Sequence, residues 1–329
     1  MKRFGIILGI LLLAVSFSIS AEVSVLIDFS TLTADLEDGN NEATLVDFSE
    51  MAGVGFTEEE MALMRTSLAI ENWDVRLAPS SRTVRNQSRS YTREAPVRED
   101  ASRFAGETVM GIRVHFPQGP FNSYAIVQPP FEIPAYMRQT ELQADGTLVE
   151  DPEDREGTKF DNYGVVKNVG VLKSVAVNVY GSNFPHGLGM ILEDHEGNEQ
   201  TIFLGYMNFS GWRTLGWNNP NYISEVRHRE LRRFPLYPHE TPNRKLKGFV
   251  IYRDAAQPGG DVITYIKDVT MTYDLAVIPH EIDIDNEALW GILDERESAR
   301  RTAEWARLGE IQILRALEQQ KIHRPDDQE

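Results

Sequence analysis

The stretch Met110-Gly111-Ile112-Arg113-Val114-His115-Phe116 decides the fold class. Its large apolar residues alternate with Gly, Arg and His, a two-residue period that buries one face of a strand and leaves the other wet. Working outward, Val175, Val177 and Val179 alternate in the same way with Ala176, Asn178 and Tyr180. Residues 188–193 and 200–206 flank Asp194-His195-Glu196-Gly197-Asn198 and predict a hairpin with Gly in its turn. Residues 248–252 and 265–273 add two further strands, the second with Val269, Met271 and Tyr273 on one side. Connectors such as Gln128-Pro129-Pro130 and Gln257-Pro258-Gly259-Gly260 punctuate the series, and no βαβ alternation or internal repeat interrupts it. The expected fold is therefore mainly β, a jelly-roll-like β-sandwich.

Toward the N-terminus the pattern is less regular. Residues 22–29 and 43–48 read as short strands. Residues 57–68 read as a helix with Thr57 as N-cap and Met61, Met64 and Leu68 on one face. Residues 70–77, with Trp73, resemble a strand. Between residues 79 and 103 apolar residues almost vanish, and Arg82, Arg85, Arg89, Arg93, Arg98 and Arg103 are spread among polar neighbours. This predicts a surface loop or extended hairpin. It is either simply solvated or a basic patch that docks an acidic neighbour.

Both ends differ from the middle. Lys2 and Arg3 precede an apolar run that ends in Ser18, Ser20 and Ala21, the layout of a cleaved secretory leader. Cleavage is expected after Ser20 or Ala21. The run falls short of the ~20 residues a membrane-spanning helix needs. No membrane association is expected after cleavage, and the mature product is expected beyond the inner membrane. Beyond residue 281 the periodicity becomes helical. Asp285 or Asn286 can cap a helix that runs to about Lys321 and ends in an acidic tail, with Gly291 and Gly309 as weak points. Ile292, Ala299, Ala303, Ala306, Ile313 and Leu317 form its apolar stripe. It either folds back over the sandwich or reaches another subunit. The expected organisation is a leader at 1–21, a sandwich at 22–280 carrying the Arg-rich segment 79–103, and a helical region at 281–329.

Composition narrows the function. The 329 residues include no Cys, so burial and not disulfides must hold the exported fold. With 50 Asp and Glu against 33 Lys and Arg, the net charge of −17 excludes nucleic acid as a partner, because phosphate contacts need clustered cations. Catalytic signatures are missing. His280-Glu281 has no second His, there is no Gly-x-Ser-x-Gly, and Ala288 stands where a calcium loop opened by Asp283 and Asp285 would need Gly. No enzyme activity, metal or cofactor is expected. The candidate contact residues lie elsewhere. Residues 206–222 (YMNFSGWRTLGWNNPNY) hold Trp212, Arg213, Trp217 and Tyr222, and residues 226–233 (VRHRELRR) hold Arg227, Arg229, Arg232 and Arg233. The aromatic segment is readable as core, as a sugar-stacking platform or as a protein-contact hot spot, where Trp, Tyr and Arg are enriched.

The leader, the GWRTLGWNNPNYI stretch and the LKGFVIYRDAAQPGGDVITYIKDVTMTYD run resemble, in that order, the flagellar filament outer layer (sheath) proteins of spirochaetes. The likeness extends from about Val23 to Asp274 and includes the missing Cys and the acidic composition. It implies a structural protein of the periplasmic flagellum, exported by a cleaved leader and assembled around the flagellin core, where it influences filament shape and stiffness. The implied partners are flagellin core subunits and copies of itself or other sheath proteins; no catalytic residues come with it. The closing pair of strands is also similar to that of carbohydrate-binding jelly rolls. The expected sandwich is thus carbohydrate-binding-module-like with a long C-terminal α-helix, and a secreted glycan-binding module is the alternative function.

Overall fold

The computed structural model describes residues 22–50, 55–135, 140–142, 148–150, 163–223, 237–276 and 283–322. The expected leader and the basic run with Arg227, Arg229, Arg232 and Arg233 lie outside the described residues. Two six-stranded antiparallel sheets form the sandwich. The first has the order β14 (Ser210–Asn218), β11 (Val169–Ser182), β16 (Gly260–Leu275), β6 (Thr108–Phe116) and β5 (Tyr91–Pro96), with β1 (Glu22–Asp28) also on β16. The second has the order β13 (Glu199–Tyr206), β12 (Gly187–Asp194), β15 (Asn243–Arg253), β7 (Ser123–Gln128) and β4 (Asp74–Leu77), with β10 (Val165–Lys167) on β15. Two short pairs stand apart: β2 (Val46–Asp47) with β3 (Arg65–Thr66), and β8 (Thr140–Leu142) with β9 (Leu148–Glu150). The helices are α1 (Glu58–Ala62), α2 (Val84–Gln87), α3 (Asn286–Trp290) and α4 (Ile292–Ile322).

The alternation read from sequence is what closes the core. Ile112, Val114 and Phe116 of β6, the three valines of β11, and Val269, Met271 and Tyr273 of β16 are all buried. Opposite them lie Leu188, Met190 and Leu192 of β12, Phe249 and Ile251 of β15, and Ala125 and Val127 of β7. Phe29, Trp73 and Phe249 pack at centroid distances of 5.2 to 6.5 Å, and the Trp73 indole donates to the Leu68 carbonyl at 3.0 Å. Strand β16 serves two neighbours in turn: Gly260 to Ile266 pair with β6, and Asp268 to Tyr273 pair with β1. The register against β11 shifts at this junction, which leaves Lys267 as the extra residue of a bulge. Its buried ammonium meets Asp28 at 2.6 Å and Glu107 at 2.8 Å, tying β1 and the loop before β6 to one cation.

Several expectations need correction. The helix read over 57–68 is only α1; the Thr57–Glu60 capping box is present. The chain then extends so that Met64 and Leu68 reach the core from non-helical backbone, with Phe48 N–H donating to the Met64 carbonyl. The strand read over 70–77 begins with a 3₁₀ turn at Ile70–Asn72, and only Asp74–Leu77 pairs. Residues 79–103 follow the hairpin reading in part and not the loop reading, since their strand pairs antiparallel with β6. They contain α2 and the edge strand β5, whose buried Thr92 hydroxyl donates to the carbonyls of Ile70 and Trp73. The strand β7 was not anticipated, and the aromatic segment is itself strand β14.

The C-terminal helix is broken where Gly291 takes a φ of 57°. Helix α4 folds back on the sandwich: Arg315 meets Asp74 at 2.8 Å, Arg300 meets Glu132, and Trp305 packs 6.2 Å from Phe48. Its buried side is Leu308 and Ile313 with the half-buried Leu293 and Trp305, whereas Ala299, Ala303 and Leu317 of the expected stripe are exposed. The cause is the neighbouring surface, which selects an indole and offers charged partners to Arg300 and Arg315; the apolar period alone could not reveal this.

Candidate functional site

The aromatic segment sits at the edge of the first sheet, and its period of two sends its side chains opposite ways. In β14, Trp212 and Thr214 share the outer face with Tyr180 and Asn178 of β11; Arg213, Leu215 and Trp217 lie opposite the inward Val179, Val177 and Val175. Trp217 is half-buried against the core. Arg213 is exposed, with its guanidinium 4.6 Å from the Phe209 ring centroid. Tyr222 is fixed by its hydroxyl, which donates to the buried Asp274 carboxylate at 3.0 Å. Trp212, Trp217 and Tyr222 therefore do not form one stacking platform.

The structure gathers a different set. Strand registers align Trp212, Tyr180, Tyr265, Gly111 and Arg93 in one row across β14, β11, β16, β6 and β5. Four strand spacings make this row about 19 Å long. Trp212 meets Tyr180 edge-on at 5.4 Å, and Tyr180 meets Tyr265 edge-on at 5.8 Å. Gly111 leaves room here, because a Cβ would lie 3.1 Å from the Arg93 carbonyl and 3.3 Å from the Tyr265 ring, a tight fit for both. Phe104, on a loop with φ 58°, closes over the row and meets Trp212 at 4.9 Å.

Cations frame these rings. Arg103 is exposed, lies 4.9 Å from the Phe104 centroid and donates to Asn178 at 3.1 Å. Arg93, also exposed, lies 5.4 Å from the Tyr91 centroid. Such contacts hold a guanidinium over a ring while leaving its charge available. Arg113 differs: it forks onto Asp261 at 3.0 and 3.1 Å, and His115 Nδ1 adds a contact at 2.8 Å. The Arg113 hydrogen bonds hold the Asp261 carboxyl below its ordinary range. Arg82 and Arg85 project from the α2 region and are exposed, and Arg89 is half-buried. Sequence reasoning thus found Arg93 and Trp212 but missed Tyr180, Tyr265 and Phe104. The first two were legible as the outward partners in the β11 and β16 alternation.

A second concavity, of about 90 Å³, lies between α4 and the second sheet, lined by Phe131, Glu132, Lys245, Glu297, Arg300 and Trp305 among others. Lys245 meets Glu132 at 3.2 Å and Arg300 meets Glu132 within it, and Lys247 meets Glu193 at 3.0 Å beside it. Burial pushes the Glu132 carboxyl up, but Lys245, Lys247 and Arg300 outweigh it and hold it down to about 2. A carboxyl so firmly ionised and paired is a latch for the helix and is unsuited to give a proton near neutrality. Among the described residues no His, Asp and Glu group could hold a metal ion, and no helix is long and apolar enough to cross a membrane.

The fold defines an antiparallel β-sandwich whose first sheet carries half-buried rings framed by exposed cations. Residues 37–282 match the family described as flagellar filament outer layer protein Flaa. The chain is 46% identical to the flagellar filament outer layer protein of Spirochaeta aurantia over 99% of its length and 95% of that protein. It is 44% identical to the protein of that name from Treponema pallidum (strain Nichols), over 98% and 95%. The chain belongs to the flagellar filament outer layer protein family. Among solved structures, a carbohydrate-binding module in complex with β-1,4-galactotriose matches 61% of this chain and 88% of its own, with 11% identity and a TM-score of 0.28. A family 11 carbohydrate-binding module covers 64% and 91% at a TM-score of 0.25, a likeness too distant to bear on ligands.

Proposed function

We propose that the protein is a structural, non-catalytic subunit of the outer layer of periplasmic flagellar filaments, surrounding the flagellin core and contributing to filament shape, stiffness and motility. Family membership along residues 37–282 carries this reading. The outer face of the first sheet is its contact surface. Trp212, Tyr180, Tyr265 and Phe104 supply area, and Arg93 and Arg103 supply cations on a chain whose net charge is −17. Acidic surfaces of flagellin, of further copies or of other sheath proteins are the complementary partners. Arg82, Arg85 and Arg89 extend the basic rim, and the run with Arg227, Arg229, Arg232 and Arg233 supplies a second basic patch. Trp217, Arg213 and Tyr222 act at the β14 edge. Each contact can be weak, because many repeat along one filament.

In this reading residues 1–21 are a leader removed on export to the periplasm, 22–280 form the sandwich and 281–329 the helical appendage. The test is to shear filaments from cells and sediment them, with immunogold labelling of the pellet. The protein is expected along the filaments; recovery solely in the free periplasmic fraction would overturn the proposal.

A further inference from the structure

The edge of a sheet offers free backbone groups to any passing strand unless Pro, Lys, a bulge or shortness blunts it. The other edges of the two sheets are blunted. Strand β5 ends in Pro96, β4 has four residues and β10 has three. The registers of β1 and β13 are broken by irregularities, and Glu22 and Glu199 stand at their starts. Strand β14 is unlike these. It pairs with β11 over nine residues with no break in register, contains no Pro, Lys or acid, and has no second neighbour among the described residues. Its sequence, Ser210-Gly211-Trp212-Arg213-Thr214-Leu215-Gly216-Trp217-Asn218, is also self-complementary. With Thr214 opposite Thr214 of an antiparallel second copy, Trp212 falls opposite Gly216 and Trp217 opposite Gly211. Both glycines have room: a Cβ on Gly211 would meet nothing within 4 Å, and one on Gly216 only the Val175 carbonyl oxygen at 3.5 Å. Both indoles are half-buried, so each keeps area to cover. A ring across from a strand glycine covers the backbone which that glycine leaves bare.

We propose that β14 is the self-association edge, at which two copies pair antiparallel about a two-fold axis at Thr214 and join their first sheets into one. This assigns the contact between copies in the filament-layer reading above, and rests on that reading for the array in which it repeats. The pairing closes the edge with about eight to ten backbone hydrogen bonds. Thr214 meets its own copy in a favoured cross-strand pair on the outer face, and Arg213 faces Leu215 on the other. A foreign strand would have to bring Gly and Trp in matching order, whereas a second copy brings them by symmetry. Directly opposite residues share a face, so the two sets of rings and cations around Trp212 come side by side on one surface. Charge opposes the approach. Each chain carries −17, and the two Arg213 Cα atoms would stand about 8 Å apart. Salt relieves both repulsions, so pairing should strengthen with ionic strength. Contact of Arg93 and Arg103 with an acidic surface has the opposite salt dependence.

The chain has no Cys, so a single introduced thiol reports on one contact. Opposite residues of a strand pair lie about 4.5–5.5 Å apart at Cα, within disulfide reach. Purified Thr214→Cys, oxidised mildly both alone and on sheared filaments, should crosslink to itself as a dimer. Ser210→Cys mixed with Asn218→Cys should give the mixed dimer and neither homodimer. Thr201→Cys, exposed on β13, should stay monomeric. Adding Gly216→Lys sets bulk opposite Trp212 of the other copy, and should cut the Thr214→Cys dimer by about tenfold with the melting temperature retained. In sedimentation velocity the dimer fraction of the unmodified protein should rise with salt. The proposal is overturned if Thr214→Cys gives no dimer in either setting, if Thr201→Cys gives as much, if Thr214→Cys captures another filament protein instead, or if Gly216→Lys changes nothing. A crosslinked dimer that fails to bind filaments would count against the filament reading alone, and filament-bound protein without the crosslink against this pairing alone.

Discussion

Replacing His186 by Phe should abolish an acid-induced loss of stability. The imidazole is fully buried, stacks on Phe116 at 5.6 Å and 11°, and neither ring nitrogen has a hydrogen-bond partner among the described residues. Burial, helped by the nearby Arg253 guanidinium, pushes its pKa down from 6.5 to about 4. The unfolded chain therefore binds a proton between pH 6.5 and 4 that the folded chain refuses, so stability falls as pH drops through that window. At about 1.4 kcal/mol per unit, the wild type loses about 2 kcal/mol from this residue by pH 5 and about 3 by pH 4. A Phe keeps the ring stack and removes two buried unpaired polar atoms, each of which costs about 1–3 kcal/mol. The assay is urea denaturation followed by Trp fluorescence at pH 7, 5 and 4, with the variant compared at each pH so that shared acid effects cancel. A gap that widens toward acid is expected, and His186→Leu should behave alike if Phe overpacks the site. Parallel curves for wild type and both variants, or an NMR titration of His186 near pH 6.5, would refute the reasoning.

Charge reversal at Arg93→Glu with Arg103→Glu should reduce retention on sheared filaments and remove most of its salt dependence, measured by co-sedimentation across ionic strength. Glu132→Gln should strip Lys245 and Arg300 of a shared carboxylate and lower stability by about 3 kcal/mol, read as a shift in Tm. The same carboxyl, held well below its ordinary value, contributes stability above about pH 4.5 that disappears as pH falls toward 2. Gly248→Ala should destabilise by about 3 kcal/mol in chemical denaturation, because φ is 152° and the new Cβ would lie 2.4 Å from the Val127 carbonyl oxygen.

What the sequence made legible follows from where burial imposes a period. Strands β6, β11 and β16 are half-buried over many residues, so their alternation was readable one strand at a time, while β12 and β13 were placed by the Gly197 turn between them. Strand β5 was not readable, since an edge strand needs few apolar residues and here only Thr92 is buried. Residues 57–68 misled because Met61, Met64 and Leu68 have helical spacing, yet Met64 and Leu68 reach the core from non-helical backbone. The site was half legible. Arg93 and Trp212 were singled out by type, but their shared face arises from pairings between strands far apart in sequence, such as Tyr180 with Tyr265. The same pairings separated Trp212 from Trp217, which sequence proximity had joined.

The two outer faces share one device. On the first sheet Gly111 lets the Tyr265 ring settle over β6, and on the second Gly187 and Gly189 let Phe203 and Tyr252 settle over β12. Glycine in a strand forgoes side-chain packing and weakens it, so its placement under a large exposed ring needs a compensating gain. Burying that ring against a partner supplies one, at about 25 cal/mol for each Å² of apolar area covered. Arg93 and Arg103 flank the first set of rings, and on the second sheet Asp254 accepts from Tyr206 at one edge while the exposed Arg76 stands beside Ile126 at the other. A subunit with two such faces can hold a filament on one side and keep the other free for a second contact.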